Sequence, residues 1–174
     1  MRNLAEKWPV VPDWNTQVLE TAALRVRTLV GLHQLLVSGD LAAWSRVSGI
    51  EGAGVGATMI ASGEKYMARI ARDRVLAVSE AALPVKAGWH EEGFAVSVID
   101  AGLHVFELEG RELSDVLSRA TTLAPESDTA SASVLFAGVN AVLYLFGSRD
   151  RARVHVDRGL APYLWEWLET TSRL

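Results

Sequence analysis

A short strand-like pattern occurs twice in this sequence and constrains the fold more than any other feature. The segments HQLLVSG (33–39) and HVFELEG (104–110) align without a gap, and each is followed by a helix-forming segment. Each is also preceded by another strand-like segment, AALRVRTL (22–29) or FAVSVID (94–100). Because glycine-bearing turns separate the strands of each pair, we predict two hairpin-then-helix units.

The helix of the second unit has a clear apolar face. Within RELSDVLSRA (111–120), the apolar residues Leu113, Val116, Leu117 and Ala120 follow the spacing i, i+3, i+4 and i+7. This spacing predicts an amphipathic helix that packs on a sheet.

The likeness between the halves continues further along the chain. ARDRVLAVS (71–79) mirrors SRDRARVHV (148–156), with an Arg-Asp-Arg turn before a strand in each. The order strand, strand, helix, strand, strand, helix therefore occurs twice. We predict one domain over 16–174, made of two pseudo-repeats at about 16–92 and 93–174.

Adjacent pairs of strands favour an α+β fold with antiparallel sheets and helices packed on one face of each. In the second half, the strands SVLFAG and AVLYLFG are expected to join through Val139-Asn140, because Asn tolerates positive φ. A doubly wound parallel sheet is disfavoured, since its strands would alternate singly with helices.

Residues 1–15 precede the first unit and show neither helical nor strand periodicity. They contain two tryptophans, Trp8 and Trp14, and are predicted to form an extended arm. Two alternatives remain open: the arm packs on its own domain, or it reaches into a partner.

Composition narrows the chemistry that this chain can carry. Among 174 residues there is no cysteine, which excludes disulfides, thiolate nucleophiles and cysteine-ligated metal centres. The net charge is −4, and no Lys/Arg run is longer than two residues, so a nucleic-acid footprint is absent. With no secretory leader and no apolar run of the roughly 20 residues that span a bilayer, we expect a soluble cytoplasmic protein.

The glycine-rich stretch GIEGAGVGA (49–57) is similar to a dinucleotide-binding loop. That loop would have to follow a strand and open a helix, whereas this stretch follows a predicted helix. We therefore interpret it as a flexible surface connection.

One histidine is a candidate for catalysis or metal binding. His155 and Asp157 share one face of a predicted strand with Arg153, which would suit a metal pair or an acid–base pair. No third ligand lies nearby in sequence, and Asp157 stands where a helix cap is needed, so capping is favoured. Glu107 and Glu109 also share a strand face, which we interpret as a solvent face. No complete catalytic constellation is found.

The closing helix contains a tyrosine and two tryptophans. Leu160, Leu164, Trp167 and Leu168 fall at i, i+4, i+7 and i+8, which predicts Trp167 as a core residue, as Trp89 is in the first half. The residues then available to a partner are the other aromatic side chains, namely Trp8, Trp14, Tyr163 and Trp165.

Two longer stretches carry a family resemblance. FELEGRELSDVLSRATTLAP (106–125) and SVLFAGVNAVLYLFGSRDRARVHVDRGLAPYLWEWLE (133–169) resemble the γ subunit of heterotetrameric sarcosine oxidase. More broadly, they resemble the folate-binding domain of aminomethyltransferases, the glycine-cleavage T-protein group. The resemblance spans roughly 16–170 and rests on packing motifs. It departs from the family at Gly159, where a serine commonly follows the arginine, and at Arg72-Asp73-Arg74, where the family has proline and tryptophan.

The resemblance implies a small accessory subunit, structural rather than catalytic, of an N-demethylating flavoprotein complex. FAD, FMN, NAD and tetrahydrofolate would then be bound by the large partner subunits, and no cofactor by this chain. Whether the chain is itself an enzyme stays open at this stage.

Two other functions remain as alternatives. A stand-alone folate-binding one-carbon transfer protein would need an acidic anchor for the pterin, for which Glu64 and Asp100 are the candidates. A self-associating structural or small-ligand binding module would instead form homo-oligomers.

Overall fold

The computed structural model describes residues 12–123 and 128–172, which form twelve strands and three helices. In chain order the strands are β1 (Val18–Glu20), β2 (Arg25–Leu29), β3 (His33–Gly39), β4 (Ile60–Ala61), β5 (Lys65–Ala71), β6 (Arg74–Ser79), β7 (Gly88–His90), β8 (Phe94–Val98), β9 (Leu103–Glu109), β10 (Ser133–Phe136), β11 (Val139–Phe146) and β12 (Ser148–Asp157). The helices are α1 (Leu41–Ser48), α2 (Leu113–Ala120) and α3 (Ala161–Thr171), with a 3₁₀ turn, Arg158–Leu160, before the last.

The strands form two sheets. The large sheet has the order β1-β2-β9-β12-β11-β10, with β4 parallel to β11, and the small sheet has the order β5-β6-β3-β8-β7. All other pairs are antiparallel. The predicted α+β class with antiparallel sheets is confirmed.

The predicted pairing within the two hairpin-then-helix units is wrong. Strands β2 and β3 lie in different sheets, as do β8 and β9, because the chain crosses between the sheets at each connection. Alternation of side chains identifies a strand but not its partner. By crossing over, β3 hydrogen-bonds along both edges, to β6 and β8, which an isolated hairpin would not allow.

The duplication appears in the strand order. The run β2-β9-β12-β11 in the large sheet corresponds to β8-β3-β6-β5 in the small sheet once the halves are exchanged. Strands β1, β2 and β4 of the first half therefore lie in the large sheet and β8 of the second half lies in the small sheet, so neither half contains a complete sheet. The boundary between the pseudo-repeats near residue 92 stays a prediction.

Helix α1 packs on the small sheet, and α2 and α3 pack on the large sheet. Asp40 caps the start of α1, where its carboxylate accepts hydrogen bonds from the backbone N–H groups of Ala42 and Ala43, both at 2.9 Å. Its Trp44 is fully buried against Phe94 of the small sheet, with ring centroids 5.7 Å apart. Helix α2 buries the four apolar residues predicted for its face against the large sheet.

The tryptophan assignments in α3 are reversed in the structure. Trp165 is only 5% exposed and belongs to the core, whereas Trp167 is half-buried and contacts Phe136 edge-on. The buried face consists of Ala161, Leu164, Trp165 and Leu168. Leu160 lies in the preceding 3₁₀ turn, so counting the helical face from it shifts the register.

Trp89 was also predicted as a core residue, and this is wrong. It lies on β7, an edge strand that pairs only with β8, and is 72% exposed. The sequence spacing that relates Trp89 to Trp167 therefore does not place the two side chains in equivalent surroundings.

The β10–β11 hairpin turns two residues earlier than predicted. Its central residues are Ala137 and Gly138, with φ of 49° and 82°, and Val139-Asn140 already belongs to β11. Positive φ at both central positions is the geometry of a two-residue hairpin turn, here with alanine where asparagine is preferred.

The glycine-rich connection is packed against the sheets rather than free. The backbone N–H of Val55 donates to the carbonyl of Met67, and that of Ala57 donates to the carbonyl of Ser131, at 2.9 and 3.0 Å. A Cβ at Gly56 would lie 1.6 Å from the carbonyl oxygen of Thr129, so only glycine fits there.

Candidate functional site

The inner faces of the two sheets bring polar side chains together in the middle of the protein. The buried members are Gln34, Tyr66, Glu107, Tyr144, Arg153 and His155. They come from five strands, and the contacts between Tyr66 and Tyr144 and between Gln34 and His155 join the small sheet to the large one. We call this set the interior network.

Glu107 lies between two arginine side chains in the large sheet and pairs with both. Strand pairing places Arg27 and Arg153 opposite Glu107 on its two sides. Both Nε and Nη2 of Arg27 donate to Oε1, at 3.0 and 2.5 Å, and Nε of Arg153 donates to Oε2 at 3.0 Å. Burial raises the pKa of the Glu107 carboxyl, but the two arginines outweigh this effect, so the pKa lies below its ordinary value.

A directed chain of hydrogen bonds runs from Arg153 across the sheets. Nη1 of Arg153 donates to the hydroxyl oxygen of Tyr66 at 2.7 Å, and the two tyrosine hydroxyls are 2.8 Å apart. The Tyr144 hydroxyl lies 2.6 Å from Nε2 of His155, whose Nδ1 lies 2.6 Å from Oε1 of Gln34. Because arginine only donates and the amide oxygen only accepts, each hydroxyl and the imidazole N–H must donate toward Gln34.

The buried surroundings hold each titratable side chain in this series of hydrogen bonds in one protonation state. Burial, followed by the positive charge of Arg153, lowers the pKa of His155 to about 3. Burial raises the pKa of Tyr66, and that of Tyr144 well above its ordinary value. The imidazole is therefore neutral and the phenols are protonated around pH 7.

The Arg153 guanidinium also contacts an aromatic ring. Its central carbon lies 3.3 Å from the centroid of the Phe146 ring, a cation–π arrangement away from water. Glu107, Tyr66 and Phe146 together surround a charge that is otherwise expensive to bury. The interior network thus fastens one sheet to the other, and its polar groups are occupied by one another.

The residues weighed for acid–base or metal chemistry are placed differently from one another. Arg153 and His155 point into the interior network, whereas Asp157 is exposed and accepts a hydrogen bond from the backbone N–H of Gly159 at 2.8 Å. The capping role predicted for Asp157 is confirmed. The described residues contain no group of three or more potential metal ligands.

The solvent-face interpretation of Glu107 and Glu109 is wrong for Glu107, which is 1% exposed. Its partners are 80 and 46 residues away in sequence, so only the register of three strands could have revealed the site. The usable signal was the alternation of Arg25 and Arg27 on β2, which mirrors that of the two glutamates on β9.

The predicted partner residues divide into two groups, with Trp8 outside the described residues. Trp14 and Trp165 pack on one another at 6.2 Å between ring centroids, and both contact Phe106. The part of the arm that contains Trp14 therefore lies on its own domain. Tyr163 is 46% exposed, and its hydroxyl donates to the carbonyl of Ala137 at 2.7 Å.

A shallow depression at one end of the large sheet lies beside Tyr163, whose hydroxyl reaches the β10–β11 turn. Leu135 of the edge strand β10 and Leu160 of the 3₁₀ turn line it and are 61% and 39% exposed, and Asn140 and Asp157 line it as well. We call Leu135, Leu160 and Tyr163 the β10 surface. Apolar surface grouped in this way is typical of protein contacts.

The two acidic residues predicted as candidate folate anchors differ in exposure and in hydrogen bonding. Glu64 is exposed, whereas Asp100 accepts a hydrogen bond from the backbone N–H of Gln34 at 2.5 Å and lies 3.3 Å from Nδ1 of His33. Asp100 thus supports the start of β3.

The fold of this chain recurs in solved structures of other proteins. Heterotetrameric sarcosine oxidase from Corynebacterium sp. U-96, in complex with pyrrole 2-carboxylate, matches with a TM-score of 0.70 and 18% identity, over 88% of this chain and 86% of the other. The glycine cleavage system aminomethyltransferase T from Bartonella henselae matches with a TM-score of 0.54 and 13% identity. That match covers 83% of this chain and 45% of the aminomethyltransferase, so the chain spans less than half of that protein.

The fold of this chain is the fold shared with these two proteins. No family model and no curated protein sequence matches the chain. At 18% and 13% identity, the similarity establishes the architecture alone. In the described residues, no helix combines the length and apolarity required to cross a bilayer.

Proposed function

We propose that this chain is a small accessory subunit, of the γ type, in a heteromeric sarcosine oxidase-like complex that demethylates amines. The observation that carries the proposal is the match to a chain of a heterotetrameric oxidase over nearly the whole length of both chains. The role is structural, and FAD, FMN, NAD and tetrahydrofolate are expected on the large partner subunits.

The interior network supports a structural role. In sandwich folds that bind small molecules, the space between sheets is a natural place for a ligand. Here that space is occupied by Arg153, Glu107, Tyr66, Tyr144 and His155, which hydrogen-bond to one another and are buried.

The β10 surface is the proposed contact with a large flavoprotein subunit. Among the described strands, β10 pairs only with β11, so it is an edge strand with the exposed Leu135 on it. Tyr163 adds an aromatic side chain of the kind that is enriched at interface hot spots. Trp14 and Trp165 contribute indirectly, by fixing α3 on the sheet beneath Tyr163.

Co-expression with the large subunits encoded by neighbouring genes tests the subunit role. We expect a stable complex that copurifies through a tag on this chain and survives gel filtration. If this chain elutes alone from cells that make all the subunits, the proposed role is wrong.

Aspartate substitutions test the position of the contact. Leu135→Asp and Leu160→Asp each place a charge on the β10 surface and are expected to weaken copurification at least tenfold. Val98→Asp is the matched control, because Val98 is 58% exposed on the other sheet. Equal effects of all three variants would contradict this placement of the interface.

The match to an aminomethyltransferase favours one second candidate, a folate-binding one-carbon transfer protein. Titration of the isolated chain with tetrahydrofolate, followed by calorimetry, separates the two candidates. Binding with a dissociation constant in the micromolar range would support the second, whereas no heat at millimolar folate would eliminate it. Light scattering on the same sample tests self-association.

A further inference from the structure

We propose that a cavity between α2 and the outer face of the large sheet is a binding site for a small apolar carboxylate. The cavity has a volume of about 240 Å³ and is lined by residues of α2 and β11. It is separate from both the interior network and the β10 surface. The inference is independent of the proposed subunit role, because every wall residue belongs to this chain.

Buried apolar side chains form most of the wall of the cavity. Leu113 and Leu117 come from the buried face of α2, and Leu143 and Leu145 come from β11. All four side chains are buried in the main core, at most 9% exposed. A site lined by packed leucines attracts an apolar body and keeps its shape when empty.

The volume sets the size of the ligand. A leucine-lined cavity of roughly 150 Å³ is known to stay dry and to accept benzene, so a cavity of this size suits about eight to ten non-hydrogen atoms. A single six-membered ring with one short substituent meets that limit.

The charge among the residues that line the cavity determines which charge the substituent of the ligand carries. Among the residues that the structure describes, Arg149 is the one ionisable residue that lines the cavity, and none of them forms a hydrogen bond or ion pair with it. Its guanidinium group is therefore available to a carboxylate, the anion whose two oxygens match its geometry.

The first turn of α2 adds no positive charge to the cavity. Glu112 precedes the helix and Asp115 lies in its first turn, and the backbone N–H groups of Leu113 and Asp115 already donate to the carbonyls of Gly110 and Glu112, both at 3.1 Å. Ser114, the second residue of this helix, lines the cavity beside Leu113 and offers its hydroxyl to a ligand. The leucines and Arg149 thus point to one class of ligand, a ring or short chain that ends in a carboxylate.

Benzoate is the probe, and benzamide is its neutral control of the same shape. In a titration of the ¹⁵N-labelled chain, we expect benzoate to shift the amide resonances of Ser114 and Leu117 with a dissociation constant of about 1 mM or tighter. Benzamide should bind at least tenfold more weakly, because it lacks the charge. Equal binding of both compounds, or no shift at 10-fold higher benzoate, would overturn the proposal.

Two variants and a control locate the binding. Arg149→Gln, at an exposed position, should weaken benzoate about tenfold and leave benzamide unchanged. Leu117→Phe fills the cavity and should abolish the binding of both compounds. Arg46→Gln, on α1 over the other sheet, should have no effect. Wild-type affinity in Arg149→Gln, or a similar loss in Arg46→Gln, would show that benzoate binds elsewhere and would refute the site.

Discussion

Glu107 is the residue whose loss should damage the protein most directly. It is the one carboxylate between two guanidinium groups, and Arg153 beside it is also buried. Glu107→Gln keeps the shape of the side chain but leaves the Arg153 charge without its counterion. We expect the free energy of unfolding in urea to fall by about 3 kcal/mol.

Glu109→Gln is the matched control for that change. Glu109 pairs with Arg151 at 2.7 Å, two residues further along the same strands, but both side chains are more than a third exposed. Solvent screening limits such a pair to about 0–1 kcal/mol. If the two variants are equally stable, the interior network does not hold the sheets together as described.

The neutral His155 should make the protein sensitive to acid. Its pKa is about 3 in the folded state, whereas an unfolded histidine titrates near 6.5, so the unfolded state binds more protons between these values. Stability is therefore highest above pH 6.5 and falls as the pH drops toward 3. His104 adds to the same trend, because burial and then Arg158 lower its pKa to about 4.

Urea unfolding at pH 7, 5.5 and 4.5 measures this dependence. His155→Gln should be less stable at pH 7, since it disturbs the bonds to Tyr144 and Gln34, but its stability should fall less steeply with acid. The slope should decrease by up to about 1.4 kcal/mol per pH unit, the contribution of one proton. An unchanged slope would mean that His155 is not held neutral.

Glycine is required at position 56 because the backbone of Thr129 approaches closely, and not because of its φ angle. Because its missing Cβ would overlap the Thr129 carbonyl, Gly56→Ala should lower the free energy of unfolding by about 2–3 kcal/mol. Gly102→Ala is the control, since a Cβ there meets nothing closer than 3.4 Å. Comparable losses in both variants would argue that the loop moves away from Thr129.

At the scale of single elements, α3 shows how a helix start decides which aromatic side chain is buried. Trp165 packs on Phe106 and Trp14, while Trp167 lies at the edge of the core. Trp165→Ala should cost about 3–5 kcal/mol and Trp167→Ala roughly half as much. Thermal unfolding of the two variants measures the difference, and a larger loss for Trp167→Ala would restore the order expected from the sequence.

The two helices also show what a sequence pattern can and cannot predict. The face of α2 was predicted correctly, because the helix begins at the first apolar residue of the pattern. The face of α3 was not, because the 3₁₀ turn before it has a different period and includes Leu160. The predicted position of the hairpin turn was wrong for a related reason. Ala137 adopts a positive φ, and an alanine in the sequence does not indicate such a backbone angle.

At the scale of the whole molecule, the exchanged strands make the halves interdependent. The fragments 1–92 and 93–174 should each be unfolded alone, because each lacks the strand that the other donates to its sheet. Mixed in equal amounts, they should regain the circular dichroism spectrum and the cooperative unfolding of the intact chain. A cooperative transition in either fragment alone would contradict this dependence.

The fold class and the order of the helices could be predicted from the sequence, since both depend on local periodicity. The exchange between sheets and the interior network could not. Both depend on which distant strands become neighbours, as with Arg27 and Glu107, and local periodicity carries no information about that choice.

The exchange of strands also has a consequence for synthesis on the ribosome. Strand β2 must wait for β9, which follows it by about 80 residues of chain, as in the pair Arg27–Glu107. At about 5–20 residues per second, that delay lasts roughly 4–16 s, during which the edges of the nascent first half stay unpaired. A chain with exchanged strands depends on chaperones or on rapid completion of its synthesis. Slowing translation within residues 40–103 should therefore lower the yield of soluble protein.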